Sequence, residues 1–140
     1  MPVHLHKKMK YNIKQITPQK LEAKHTKLNN SLESKLNWMD YIYQNLEYGK
    51  PSYSIGEIDT FAYRWTSKGL YGYVFEVKSS DNPLLRTKSN KQLRKAYERF
   101  IPILEQGDDV KFSKVFLYYV NPNQIKVRNK VLGVPFERHR

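Results

Sequence analysis

Cysteine is absent from the 140 residues, which excludes disulfides, a thiolate nucleophile and thiolate zinc sites. Acid is scarce as well: 13 Asp and Glu stand against 25 Lys and Arg, a formal charge of +12. Such an excess favours a polyanionic partner, nucleic acid foremost, although membrane-surface proteins and merely soluble ones share it. Long hydrophobic runs are missing. No stretch approaches the roughly 18 apolar residues of a membrane span, and the start, with Lys7, Lys8, Lys10 and Lys14, has no continuous apolar segment of the signal-peptide kind. The expectation is a soluble cytoplasmic protein without a membrane partner. What is abundant is aromatic: 11 Tyr, 6 Phe and 2 Trp, side chains that fill cores or stack on bases.

A chain of this length suits one domain with one core. The sequence reads as a single domain over 1–140, with a basic arm over about 1–16 and a basic tail over about 121–140. Thr17-Pro18 has the form of a helix entry, and Leu21, Leu28, Leu32, Leu36, Met39, Tyr43 and Leu46 recur at three-to-four or seven-residue steps. This predicts a long helix with a break near Asn29-Asn30, where Asn30 caps a second piece and Gly49 with Pro51 ends it. Aromatic and β-branched residues then predict strands over Ile58 to Trp65 and Leu70 to Val77 around a turn at Thr66 to Gly69. A loop is expected over Ser79 to Asn90, then a helix carrying Leu93, Tyr97, Phe100 and Leu104, kinked or shortened by Pro102, then a strand over Val110 to Val120. The fold class is α/β: a central mixed β-sheet flanked by α-helices, whose last strand runs parallel to the strand of Glu76.

The chemistry concentrates in Gly56-Glu57-Ile58-Asp59 and Glu76-Val77-Lys78. A hairpin closing symmetrically on Ser67-Lys68 pairs residues whose numbers sum to 135, which sets Asp59 opposite Glu76 and Glu57 opposite Lys78 on one sheet face. Period two places Ile58, Phe75 and Val77 on the other face. Two adjacent carboxylates repel, and suit a hard cation such as Mg²⁺ or Mn²⁺ completed by a backbone carbonyl, here that of Val77, with water and a phosphate oxygen. A cation there can activate water and polarise a phosphodiester, while the Lys78 ammonium orients the water or neutralises developing charge.

These residues resemble the PD-(D/E)xK nuclease superfamily, which has the restriction-endonuclease-like fold. In that family an Asp at the end of one strand and a Glu-x-Lys on the next form the site, as Asp59 and Glu76-Val77-Lys78 would here, with Gly56-Glu57-Ile58-Asp59 standing where the family often has Gly-x-x-Asp. The residue before Asp59 is isoleucine rather than proline. The family often carries a glutamate early in the preceding helix, and Glu33, with Glu47 as competitor, is similar in placement; the stretch from Glu33 to Leu46 resembles the opening of archaeal Holliday junction resolvases. Gln92 looks like the glutamine that some branches place on the helix after Glu-x-Lys. The resemblance covers about Glu33 to Val120. It implies a metal-dependent DNA endonuclease, structure-specific in the manner of Holliday junction resolvases and a homodimer like those relatives, with catalytic residues Asp59, Glu76, Lys78, Glu33 and Gln92.

Each of these residues also has a plain structural use. Asp59 and Glu76 can be solvated positions on a hairpin, Lys78 a ladder partner of Glu57, Glu33 part of a capping box with Asn30, and Gln92 a surface residue. Directly opposed like charges destabilise a hairpin, however, and so ask for a cation or a proton. The basic residues Arg86, Lys88, Lys91, Arg94 and Lys95, directly after the predicted site, suit DNA phosphates. Two other readings stay open: a non-catalytic nucleic-acid-binding protein on the same fold, and a RecB-like exonuclease or single-strand nuclease.

Overall fold

A computed structural model describes residues 11–16, 23–80, 82–122 and 135–139 of the chain. The elements run β1 (Asn12–Gln15), α1 (Ala23–Ser34), β2 (Tyr41–Lys50), β3 (Tyr53–Thr66), β4 (Gly69–Val77), α2 (Pro83–Lys95), a π-helical turn (Ala96–Phe100), α3 (Ile101–Asp108), β5 (Phe112–Val120) and β6 (Pro135–His139). The six strands form one sheet in sequence order, antiparallel except for the parallel pair β4–β5. The protein is thus α/β with a mixed sheet, and the stretch from α2 to α3 is the crossover that makes β4 and β5 parallel. Among the described residues no helix is long and apolar enough to cross a membrane.

Both faces of the sheet are covered. Leu93, Ala96, Phe100, Ile101 and Leu104 pack with Phe61, Tyr63, Val74, Val115, Leu117 and Tyr119 on one face. On the other, Leu32 and Leu36 pack with Ala62, Tyr73, Phe75, Val77 and Val120. Asn82 caps α2 through its side chain, which accepts from the Leu85 N–H, and Pro83 occupies the first turn, where its missing N–H costs nothing. The helix therefore starts seven residues before the end of the predicted 79–90 loop. Pro102 does not break it: the preceding π turn, closed by the Ile101 N–H on the Ala96 carbonyl, absorbs the irregularity.

The largest departure from the sequence reading is β2. Residues from Leu36 to Leu46 were expected on one helix face, but α1 ends at Ser34 and Tyr41–Lys50 is a strand. Tyr41, Ile42 and Tyr43 favour a pleated surface, and β2 gains a backbone partner on each side, β1 and β3. Asn30 is accordingly an interior residue of α1 and caps nothing. The expected Thr17-Pro18 entry, the residues before Tyr11 and most of the expected basic tail, from 123 to 134, lie outside the described residues. Part of each expected terminal segment is sheet: β1 pairs with β2, and β6 with β5.

Candidate active site

The hairpin register runs from Thr66↔Gly69 to Thr60↔Phe75, the predicted pairing, and Asp59 and Glu76 are the next residues along. Here the strands depart from regular pleating. Asn45, across from Asp59 in β2, has φ of 57°, a left-handed conformation that asparagine tolerates better than most residues. Alternation shifts by one residue at this point in both strands. Tyr43, Phe61 and Tyr63 face the α2–α3 side, and so do Leu46, Tyr48 and Ile58. The expectation that Ile58 shares a face with Phe75 and Val77 is therefore corrected, as is the picture of one acidic and one apolar face. The carboxylates sit at a kink between two apolar layers.

At the kink a side chain takes over a ladder bond: the Val77 N–H donates to Asp59 Oδ2 at 2.7 Å. A buried polar cluster braces it from α1. The Asn29 amide donates to the Asp59 carbonyl (3.1 Å), Thr60 Oγ1 donates to Asn29 Oδ1 (2.6 Å), and the Gln44 amide donates to the Asn29 carbonyl (2.8 Å) and to Thr60 Oγ1 (3.1 Å). Buried groups this well paired fix position. Gly56 belongs to the same construction, because a Cβ there would lie 2.7 Å from the Tyr48 hydroxyl oxygen.

The result is a cleft of about 840 Å³ whose lining includes Asp59, Glu76, Lys78, Gln92 and Lys95. Glu76 is only 6 % exposed. Burial first, and the neighbouring Asp59 second, hold its carboxyl well above the ordinary value of 4.5, against the opposing pull of Lys78. Lys78 Nζ lies 3.2 Å from Glu76 Oε2, while its backbone N–H donates to the Val120 carbonyl of β5. Lys78 thus pairs with Glu76, and Glu57 faces Glu47 across β2–β3 rather than Lys78. Gln92 Oε1 is buried without a hydrogen-bond partner in the wall of the cleft, an acceptor in want of a donor.

No protein-family model, curated protein or solved structure matches this chain.

The remaining candidates divide. Glu33 is exposed and does not line the cleft; it sits eight residues along α1 from His25, roughly 12 Å at 1.5 Å per residue. Glu47 does line the cleft, but from β2 and paired with Lys14 at 3.2 Å, so it is not a helix carboxylate. Of the five basic candidates, Lys95 lines the cleft, its Nζ donating to the Ile55 carbonyl at 2.9 Å. Arg86, Lys88, Lys91 and Arg94 lie on the exposed side of α2, outside it.

A further residue at the carboxylates, one that no sequence motif singles out, is His25. Its Nε2 is 3.4 Å from Asp59 Oδ2, and the hydrogen bond to Asp59, more than any other influence, raises its pKa above 6.5. The helix position that reaches the carboxylates is thus a histidine. Its only sequence signal is the four-residue step from His25 to Asn29, which puts both on one face of α1.

Among the described residues no group of three or more His, Asp or Glu side chains gathers around one point suited to a metal. The protein oxygens that meet in the cleft are the Asp59 and Glu76 carboxylates, hard donors that suit Mg²⁺ or Mn²⁺ with water and phosphate completing the shell. A buried carboxyl whose neighbour opposes its ionisation is the further reason such an ion fits.

Proposed function

We propose that the chain is a divalent-metal-dependent deoxyribonuclease, an endonuclease hydrolysing phosphodiester bonds on a restriction-endonuclease-like core. The observation that carries this reading is Glu76, buried beside Asp59 in a cleft that Lys78 and Gln92 also line. The order of elements from the Asp strand onward supports it: Asp strand, hairpin, Glu-x-Lys strand, helix and parallel strand follow the resemblance to PD-(D/E)xK nucleases, while β2 stands between α1 and the Asp strand.

Asp59, Glu76 and the Val77 carbonyl would hold Mg²⁺ or Mn²⁺, which supplies Lewis acidity to the scissile phosphate and to the attacking water. The chain's own residues do the rest. Asp59 keeps its orientation through the Val77 N–H and His25. Lys78, 3.2 Å from Glu76 Oε2, would orient the water and neutralise charge developing on the phosphate. Gln92, whose Oε1 is buried without a hydrogen-bond partner, and Lys95, which adds positive charge, stand in the wall of the cleft.

The test is incubation with supercoiled, linear, single-stranded and four-way-junction DNA, with and without Mg²⁺ or Mn²⁺. Cleavage that requires the metal, and that Asp59→Asn and Glu76→Gln each abolish while DNA binding persists, is the expected result. Near wild-type turnover in either variant overturns the site. Nicking of circular DNA separates an endonuclease from a RecB-like exonuclease. One observation favours a second reading, a binding protein on the same fold: His25 and Lys78 pair with Asp59 and Glu76, as counter-ions in a purely structural network would. That reading expects DNA binding indifferent to divalent ions and no cleavage.

A further inference from the structure

The cleft does not end at the carboxylates. A groove of about 240 Å³ shares Glu47 and Ser54 with it and continues past Lys14, Lys50 and Tyr53 at the β2–β3 turn. Tyr53 is 53 % exposed, which is unusual for a large ring beside a cleft. Lys50 Nζ lies 5.7 Å from the Tyr53 ring centre and 5.9 Å from that of Tyr11, within the range of a cation–π contact. The turn that presents the ring is tight. The register shifts at Tyr48/Gly49, and a Cβ on Gly49 would fall 2.7 Å from the Ile55 nitrogen and 2.9 Å from the Ser54 Cα. The ring is therefore displayed by a rigid bulge rather than a loose loop.

A lysine set over an exposed aromatic ring, with a second lysine farther along the groove beside Glu47, matches one kind of ligand well. An unpaired nucleic-acid strand alternates phosphates with bases whose faces are free, so lysines take the phosphates while the ring takes a base. A duplex keeps its bases stacked on each other and offers Tyr53 no face. Resting on the nuclease reading of the adjoining cleft, we infer that the groove is a subsite for an unpaired strand, with one base stacked on Tyr53 and its flanking phosphates at Lys50 and Lys14, so that the substrate carries single-stranded nucleic acid next to the scissile phosphate.

The test measures binding of three labelled DNAs, a blunt duplex, the same duplex with a single-stranded overhang, and the single strand, to the full chain carrying Glu76→Gln. Adding Tyr53→Ala should weaken the overhang and single-strand complexes by at least about fivefold, the lower end of a base–aromatic stack, and leave the blunt duplex unchanged. Tyr53→Trp should restore the loss, which a purely structural role for the turn would not do. Lys50→Ala should flatten the salt dependence on the single strand by about 0.7 in the log–log slope. Equal weakening on blunt and overhang DNA, no weakening at all, or no binding of any probe overturns the subsite; an unchanged set would leave Tyr53 to a protein partner or to the turn itself. Loss of discrimination on adding Tyr53→Ala, together with a wild-type chain that cuts no DNA with any divalent ion, would sink the nuclease reading and keep the subsite. Metal-dependent cleavage with discrimination untouched by Tyr53→Ala would do the reverse.

Discussion

The two ends of the β3–β4 hairpin each set a charge among apolar side chains, and they treat it in opposite ways. Toward the turn, Arg64 lies over three rings, its guanidinium carbon 5.2 Å from the centre of Trp38, 5.5 Å from Tyr71 and 5.9 Å from Tyr73, and its Nε donates to the Tyr73 hydroxyl at 2.9 Å. Each of these contacts is one that a cation can make. At the other end Glu76 is buried against Asp59, and both burial and that neighbour oppose its charge. The Arg64 charge is accommodated by its surroundings, whereas the Glu76 charge is held in a conflict that the cation of the proposed nuclease would relieve. The regular end belongs to the scaffold, and the kinked end carries the proposed site.

The comparison breaks first on activity. Lys78→Ala should lower the cleavage rate roughly 100-fold, the order expected when a charge-stabilising donor at a phosphoryl centre is removed, with DNA affinity nearly kept; single-turnover rates beside binding isotherms decide it. Near wild-type rates would reduce Lys78 to a counter-ion of Glu76.

Stability should respond next, and at the opposite end. Arg64→Ala should cost about 1–2 kcal/mol, the sum of a hydrogen bond and partly desolvated cation–π contacts, while the rate per folded molecule stays unchanged. Denaturant unfolding and active-site titration check the two halves. Glu76→Gln should change stability with the other sign, raising the unfolding midpoint of the metal-free protein, because it removes a buried charge that its surroundings oppose. A lower midpoint would mean that the Lys78 pair outweighs burial.

The smallest effect is on pH dependence. Because the Glu76 carboxyl is raised in the folded state, stability of the metal-free protein falls as pH climbs from 4.5 toward that raised value. The pKa of His25 is also raised, so its stabilising contribution is complete below 6.5 and fades as pH passes its folded value. Both slopes run downward with rising pH. Unfolding midpoints across this range should show the decline, with Glu76→Gln flattening its acidic part and His25→Asn its neutral part. A profile that rises with pH in the wild type would contradict both assignments.

Local patterns made some features legible. The turn at Thr66 to Gly69 sets the hairpin register by itself, and with it the meeting of Asp59 and Glu76, because neighbouring strands joined by a short turn leave little freedom. The parallel β4–β5 pair follows from the intervening helix. Gln92 and Lys95, three residues apart on α2, both reach the cleft.

Tertiary structure decided what local pattern leaves ambiguous. Steps of three, four and seven from Leu36 to Leu46 fit a helix, and strand pairing on two sides overrides them. The left-handed turn of Asn45 exchanges the faces of two strands, which no count of alternation reveals. His25 and Glu47 enter the cleft because α1 and β2 pack where they do, while Glu33 is carried away along α1. The sequence by itself determined which carboxylates meet, since that depends on a short-range turn. Which histidine, lysine and tyrosine surround them depends on contacts between segments tens of residues apart, and only the folded chain holds those.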